Sequence, residues 1–167
     1  MEIKIKDALL AQAAQEGMDE FIKVFVDAIH DAIGGELSAE TMPKLNADQI
    51  TLLAYYYLRE EVMDGGFIQL IHNGLGCFIF LNPFARAIRE WGLPTLSPII
   101  NGCHKLYKKY REELEKDYTD EEFMALFEKY PDFDKYDDAF VESEEEFTEA
   151  VARYVDDNIE KFATIVE

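Results

Sequence analysis

The stretch Arg59–Phe80, REEVMDGGFIQLIHNGLGCFIF, decides the fold. It begins as the end of an amphipathic helix, breaks at Asp64-Gly65-Gly66, and resumes at once on an apolar run. Two adjacent glycines between helical patterns mark a C-cap and a tight turn, because glycine adopts the left-handed conformation without a steric penalty. Asp64 is placed to accept from the open N–H groups of a helix starting near Phe67. The spacing therefore predicts a helical corner with Phe67, Ile68, Leu70 and Ile71 in the core. Gln69 and Asn73, four apart, share a face of the second helix and need partners there. Backbone groups left open by the glycine break are the expected ones.

Composition bounds the rest. The chain has 167 residues, one domain's worth, and 49% of them are apolar, so a real core is expected. The outlier is charge: 35 acidic against 16 basic residues, net −19. Such a balance argues against direct contact with nucleic acid or an anionic membrane, where each phosphate needs a Lys or Arg. It points towards cationic partners, or merely towards solubility. Cys77 and Cys103 lie in apolar surroundings without a CxxC, and MEIKIKDALL lacks a signal-peptide apolar core, so two buried, reduced thiols in a cytoplasmic protein are expected. The apolar run 67–81 is short and interrupted by polar residues, unlike a membrane span.

Helical spacing recurs along the whole chain. It predicts helices over 3–16 and 19–33, the second with Asp19 as N-cap and Gly34-Gly35 as terminator. Asn46 and Gln49 have capping-box spacing and open a helix to Met63, with Ile50, Leu53, Tyr57 and Leu58 inward. Asn82-Pro83 and Ser97-Pro98 are entry signals for helices over 83–91 and 98–117. Thr119 with Glu122, and Ser143 with Glu146, are two more capping boxes, opening helices over 120–129 and 144–163. Residues 131–141 read as irregular. No strand pattern appears. The expectation is an all-α fold, a single domain over 1–167 of about eight helices, with the Gly-Gly corner at its centre and helices 3–33 packed onto the remainder.

The charge is unevenly placed. Residues 112–149 hold 17 acidic side chains against Lys116, Lys129 and Lys135, a net of −14. Eight aromatics from Tyr118 to Phe147 interleave with them, which an unstructured acidic tail would lack. They are expected to fold the segment onto the body and fix its carboxylates as a surface that a basic partner could read. Glu113–Asp117, Glu142–Glu146 and Glu145–Glu149 are acidic pairs four apart, mildly repulsive on a helix.

The string Glu61-Val62-Met63-Asp64-Gly65-Gly66-Phe67-Ile68-Gln69, followed by Asn73, resembles the signature of a bacterial family of acidic all-helical proteins, the DNA-mimic protein family. That signature is E-V-x-N-G-G-F-x-Q, an aromatic pair, then Asn. The likeness covers roughly residues 45–163, continuing through Gly92, His104, Tyr107 and Asn158–Phe162. The chain departs at Asp64, where Asn is usual, and at Leu70-Ile71, where aromatics are common. Both changes preserve a cap and a core contact. The resemblance implies a homodimer whose acidic surface imitates duplex DNA and occupies the DNA-binding face of a repressor. The motif residues Glu61, Asp64, Gly65, Gly66, Phe67, Gln69 and Asn73 are structural on this reading. On density, 112–149 as one helix of about 57 Å carries one net charge per roughly 4 Å, against one per roughly 1.7 Å in duplex DNA, so mimicry calls for two copies.

No catalytic constellation competes. Cys103 and His104 are adjacent and diverge by about 100° on a helix. His72 and Cys77 have no further zinc ligand nearby. The run Asp132, Asp134, Asp137, Asp138 lacks the glycine and glutamate of an EF-hand. The expectation is a non-enzyme without metal or cofactor. Its partner surface would be Glu112, Glu113, Asp117, Glu121, Glu122, Glu142, Glu145, Glu146 and Glu149, offered to a basic DNA-binding protein. A helical protein–protein interaction module without mimicry is the alternative.

Overall fold

The structure, a computed structural model, describes residues 2–167. Among these residues are eight α-helices, and the fold is all-α: α1 (Asp7–Glu16), α2 (Met18–Ala32), α3 (Ala47–His72), α4 (Gly76–Phe80), α5 (Phe84–Glu90), α6 (Leu96–Leu114), α7 (Asp120–Lys129) and α8 (Asp134–Asp157). The chain divides into two compact units, Met1–Tyr56 with Glu146–Glu167, and Tyr57–Glu145; α3 and α8 contribute to both.

The first unit holds an element that helical periodicity hides. Residues 3–16 do not form one helix. Strand β1 (Lys4–Lys6) comes first and pairs in parallel with β2 (Thr164–Val166), Ile5 opposite Ile165. Two strands of three residues, with most of the chain between them, leave no local signal. Gly17, at φ 145°, occupies the cap position of α2, and Asp19 falls in its first turn. Phe21, Phe25 and Ile29 form the buried stripe of that helix, and Phe25 meets Phe162 edge-on at 6.2 Å.

The capping box opening α3 is fully made. Gln49 N donates to Asn46 Oδ1 at 2.8 Å, and Asn46 N donates back to Gln49 Oε1 at 2.9 Å. The two amides also reach the C-terminal segment: Asn46 Nδ2 donates to the Lys161 carbonyl and Gln49 Nε2 to that of Phe162. The closing helix is correspondingly shorter than the expected end at 163: α8 stops at Asp157, a 3₁₀ turn spans Ile159–Lys161, and β2 follows.

In the second unit the chain leaves helical geometry inside α3 at one residue, Gly66 (φ 76°, ψ −173°). Phe67, Ile68, Leu70 and Ile71 beyond it are fully buried. The larger correction concerns residues 131–141, which are not irregular, and Ser143, which caps nothing. A 3₁₀ turn over Pro131–Phe133 leads straight into α8, which runs unbroken through Ser143. The reason is the burial of Phe133, Phe140 and Phe147, spaced seven apart on one helical face. Acidic residues at 134 and 137 also suit the positive end of the helix dipole.

Gly66 presents two separate obstacles to a side chain. Its φ is left-handed, and a Cβ there would lie 2.5 Å from Asp137 Oδ2. Gly66→Val is therefore expected to lower stability by about 1–3 kcal/mol through backbone strain alone, with displacement of Asp137 added to it. A thermal melt reads this directly, and an unchanged midpoint would contradict it.

Candidate functional site

The Gly66 break is closed by a group far away in sequence. Phe67 N donates to Asp137 Oδ1 at 2.8 Å, so the cap comes from the first turns of α8 and not from Asp64. Asp64 instead accepts from Gln69 Nε2 at 2.9 Å. Glu61 Oε2 accepts from both Gln69 Nε2 and Asn73 Nδ2, each at 2.9 Å. The two amides thus bond carboxylates upstream of the break, where backbone partners were expected. Gly65 keeps that bridge possible, since a Cβ there would overlap the Gln69 amide. The clamp needs Glu61, Asp64, Gly65, Gly66, Gln69 and Asn73 together.

Onto this corner fold the acidic residues 112–145, fifteen carboxylates against three lysines. The rest of the same unit, residues 57–111, is oppositely biased, with seven basic and four acidic residues. Aromatic contacts hold the acidic part in place. His72 Nδ1 lies 3.0 Å from the Leu114 carbonyl at the end of α6, and its ring packs against Tyr118 and Phe123. Tyr118 donates to the Glu113 carbonyl, and Tyr110 to Asp132 Oδ2 at 3.2 Å. Thr119 and Glu122 complete the capping box of α7. Hydrogen bonds from Thr119 to its carboxylate hold Glu122 below the usual glutamate range.

The nine carboxylates singled out from the sequence separate accordingly. Glu112, Asp117, Glu121, Glu142 and Glu145 are exposed and make no ion pair among the described residues. Glu113 accepts from Lys116 at 3.1 Å, and Glu122 serves as the α7 cap. Glu146 and Glu149 belong to the other unit, where Glu149 accepts from Arg153 at 2.8 Å. Asp117 lies beyond the end of α6, so Glu113 and Asp117 are not helical neighbours. Sequence reading weighed Asp134 and Asp138 only as part of an incomplete calcium loop and left them off this surface, yet both are exposed on the start of α8. The seven-residue spacing of Phe133, Phe140 and Phe147 was the signal that could have found them.

Glu144 is the exception within the run. It is buried and accepts from Arg59 Nε at 2.8 Å. Removing one partner of such a pair strands the other charge in a poorly solvated place. Arg59→Ala is expected to lower stability by about 2–4 kcal/mol, and Arg59→Met with Glu144→Leu to recover most of it. Chemical denaturation of the three proteins checks this. Equal losses in the single and double variants would contradict it.

Of the two cysteines expected to be buried, one is and one is not. Cys103 is buried, and burial, aided by Asp137, pushes its thiol well up. Cys77 is exposed, and it has an electropositive neighbour: Arg111 Nη2 lies 3.2 Å from its sulfur, with Tyr107 Oη at 3.3 Å. No group of three or more His, Cys, Asp or Glu is placed to hold a metal ion among the described residues. Iodoacetamide is expected to modify Cys77 in the native protein and Cys103 only after unfolding, as read by mass spectrometry. Modification of both at similar rates would contradict this placement.

The family model described as DMP19-like protein matches residues 43–158, which include the whole clamp and every helix from α3 to α8. The chain belongs to this family. It is 33% identical over 128 residues to DNA mimic protein DMP19 of Neisseria meningitidis serogroup B (strain ATCC BAA-335 / MC58), across 75% of this chain and 77% of that protein. The family match begins at Pro43, so β1, α1 and α2 of this DMP19-like chain lie outside it. No helix among the described residues is long and apolar enough to cross a membrane.

Proposed function

We propose that the chain is an acidic DNA mimic without enzymatic activity, which binds a basic DNA-binding protein, a transcriptional regulator, and blocks its access to DNA. The single observation that carries this is the ordered carboxylate surface of residues 112–145, where twelve of fifteen acidic residues are exposed and only three lysines oppose them. Membership of a family that includes a DNA mimic supports it. The contact surface comprises Glu112, Glu113, Asp117, Glu121, Glu122, Glu142 and Glu145, extended by Asp134 and Asp138.

Duplex DNA carries one charge per roughly 1.7 Å, so a net charge of −12 equals that of about 20 Å of duplex, or six base pairs. A dimeric regulator reads two half-sites about 34 Å apart. One copy supplies charge for one half-site, and the active form is accordingly a homodimer. Binding confined to the protein's acidic face in a reducing cytoplasm needs no cofactor.

Competition tests the reading. Wild-type protein is expected to displace labelled operator DNA from a DNA-binding protein captured with it, less effectively as salt rises. Glu112→Lys, Glu121→Lys, Glu142→Lys and Glu145→Lys together alter exposed sites where both residue types suit helix, so helicity should persist. Binding should weaken by about 3 kcal/mol or more, mainly through slower association. Failure of the wild type to displace DNA, or equal displacement by the reversed protein, would leave a helical interaction module without mimicry.

A further inference from the structure

The first turns of α8 touch the helix break through one carboxylate. Asp137 accepts from Phe67 N at 2.8 Å, and its oxygens occupy the space a Gly66 side chain would fill. Its own helix adds two more carboxylates next to it, Asp134 and Asp138. From α6 it faces the buried Cys103 thiol, and from α3 the Phe67 N–H. Among the described residues no cation is placed to offset it, and the adjacent Lys135 sits over the Tyr136 ring. Asp137 is half-buried, with like charges on both sides; against this its ionised form has only the Phe67 N–H and the positive end of the α8 dipole.

We propose that the Asp137–Phe67 contact is a proton-controlled latch, closed on Gly66 while Asp137 is protonated and prone to local opening once Asp137 ionises. A protonated carboxyl still accepts from Phe67 N through its carbonyl oxygen, so closure survives protonation. Burial pushes Asp137 up to about 6; the Phe67 N–H pulls it down, and Asp134 and Asp138 push it up again. In the open form the group returns to the ordinary aspartate value near 3.8. The closed form therefore holds the proton more tightly. Its advantage is complete below the ordinary value and is lost as pH rises towards 6. Near neutral pH the latch is at its weakest, and an opened Asp137 joins Asp134 and Asp138 in the solvated acidic face.

Hydrogen exchange of the Phe67 amide, corrected for intrinsic rates, reads the latch without any partner. Between pH 5 and 7.5 its protection is expected to fall about three- to tenfold in the wild type. Asp137→Asn keeps an acceptor and removes the proton, so its protection should be flat over the same range. Carboxyl carbon shifts followed by NMR give a second reading in the unmodified protein, with an Asp137 midpoint near 6. Flat wild-type protection, an equal slope in Asp137→Asn, or an Asp137 midpoint below about 4.5 would each overturn the proposal.

Discussion

The hydrogen bond from Phe67 N to Asp137 joins the two parts of the second unit that matter most. On one side is a helix broken at a left-handed glycine, with its first N–H open. On the other is the start of α8, where exposed Asp134 and Asp138 extend the acidic run. A broken helix needs a cap, and an acidic helix start needs a donor. One contact serves both. A side chain at Gly66 would be strained by its left-handed φ and would crowd the capping carboxylate, 2.5 Å from a Cβ.

The Glu61 clamp does complementary work across the same break. Glu61 holds Gln69 and Asn73, Gln69 also reaches Asp64, and Gly65 leaves room for the Gln69 amide. Every polar residue of the signature string is thereby engaged within the protein. Within the protein these residues fold a corner. Shared architecture by itself fixes no shared partner.

The corner and the long helices were legible because their signals are local: adjacent glycines, capping boxes at Asn46 and Thr119, and apolar stripes. The acidic run was legible as a charged and aromatic segment, but its layout was not. Ser143 and Glu146 satisfy a capping-box spacing, yet in so acidic a stretch that spacing recurs by composition alone. The burial of Phe140 and Phe147 on either side overrides it. The β1–β2 pair and the Asp137 cap were out of reach for another reason. Each joins residues 70 or more positions apart, and nothing nearby announces the partner. The neighbour of Cys77 is likewise a product of packing, since Arg111 arrives from a different helix.

What distinguishes this chain from an acidic tail is that its carboxylates are held. Tyr118, Tyr110, His72 and the buried Phe133 and Phe140 tie residues 112–145 down at intervals of a few residues. The proposed mimicry of a stiff duplex requires a surface that is stiff itself. Backbone ¹⁵N relaxation across Glu112–Glu145 tests that claim most directly. Order parameters near about 0.85 through α7 and the start of α8 are the predicted result, and values below about 0.6 across those helices would contradict it.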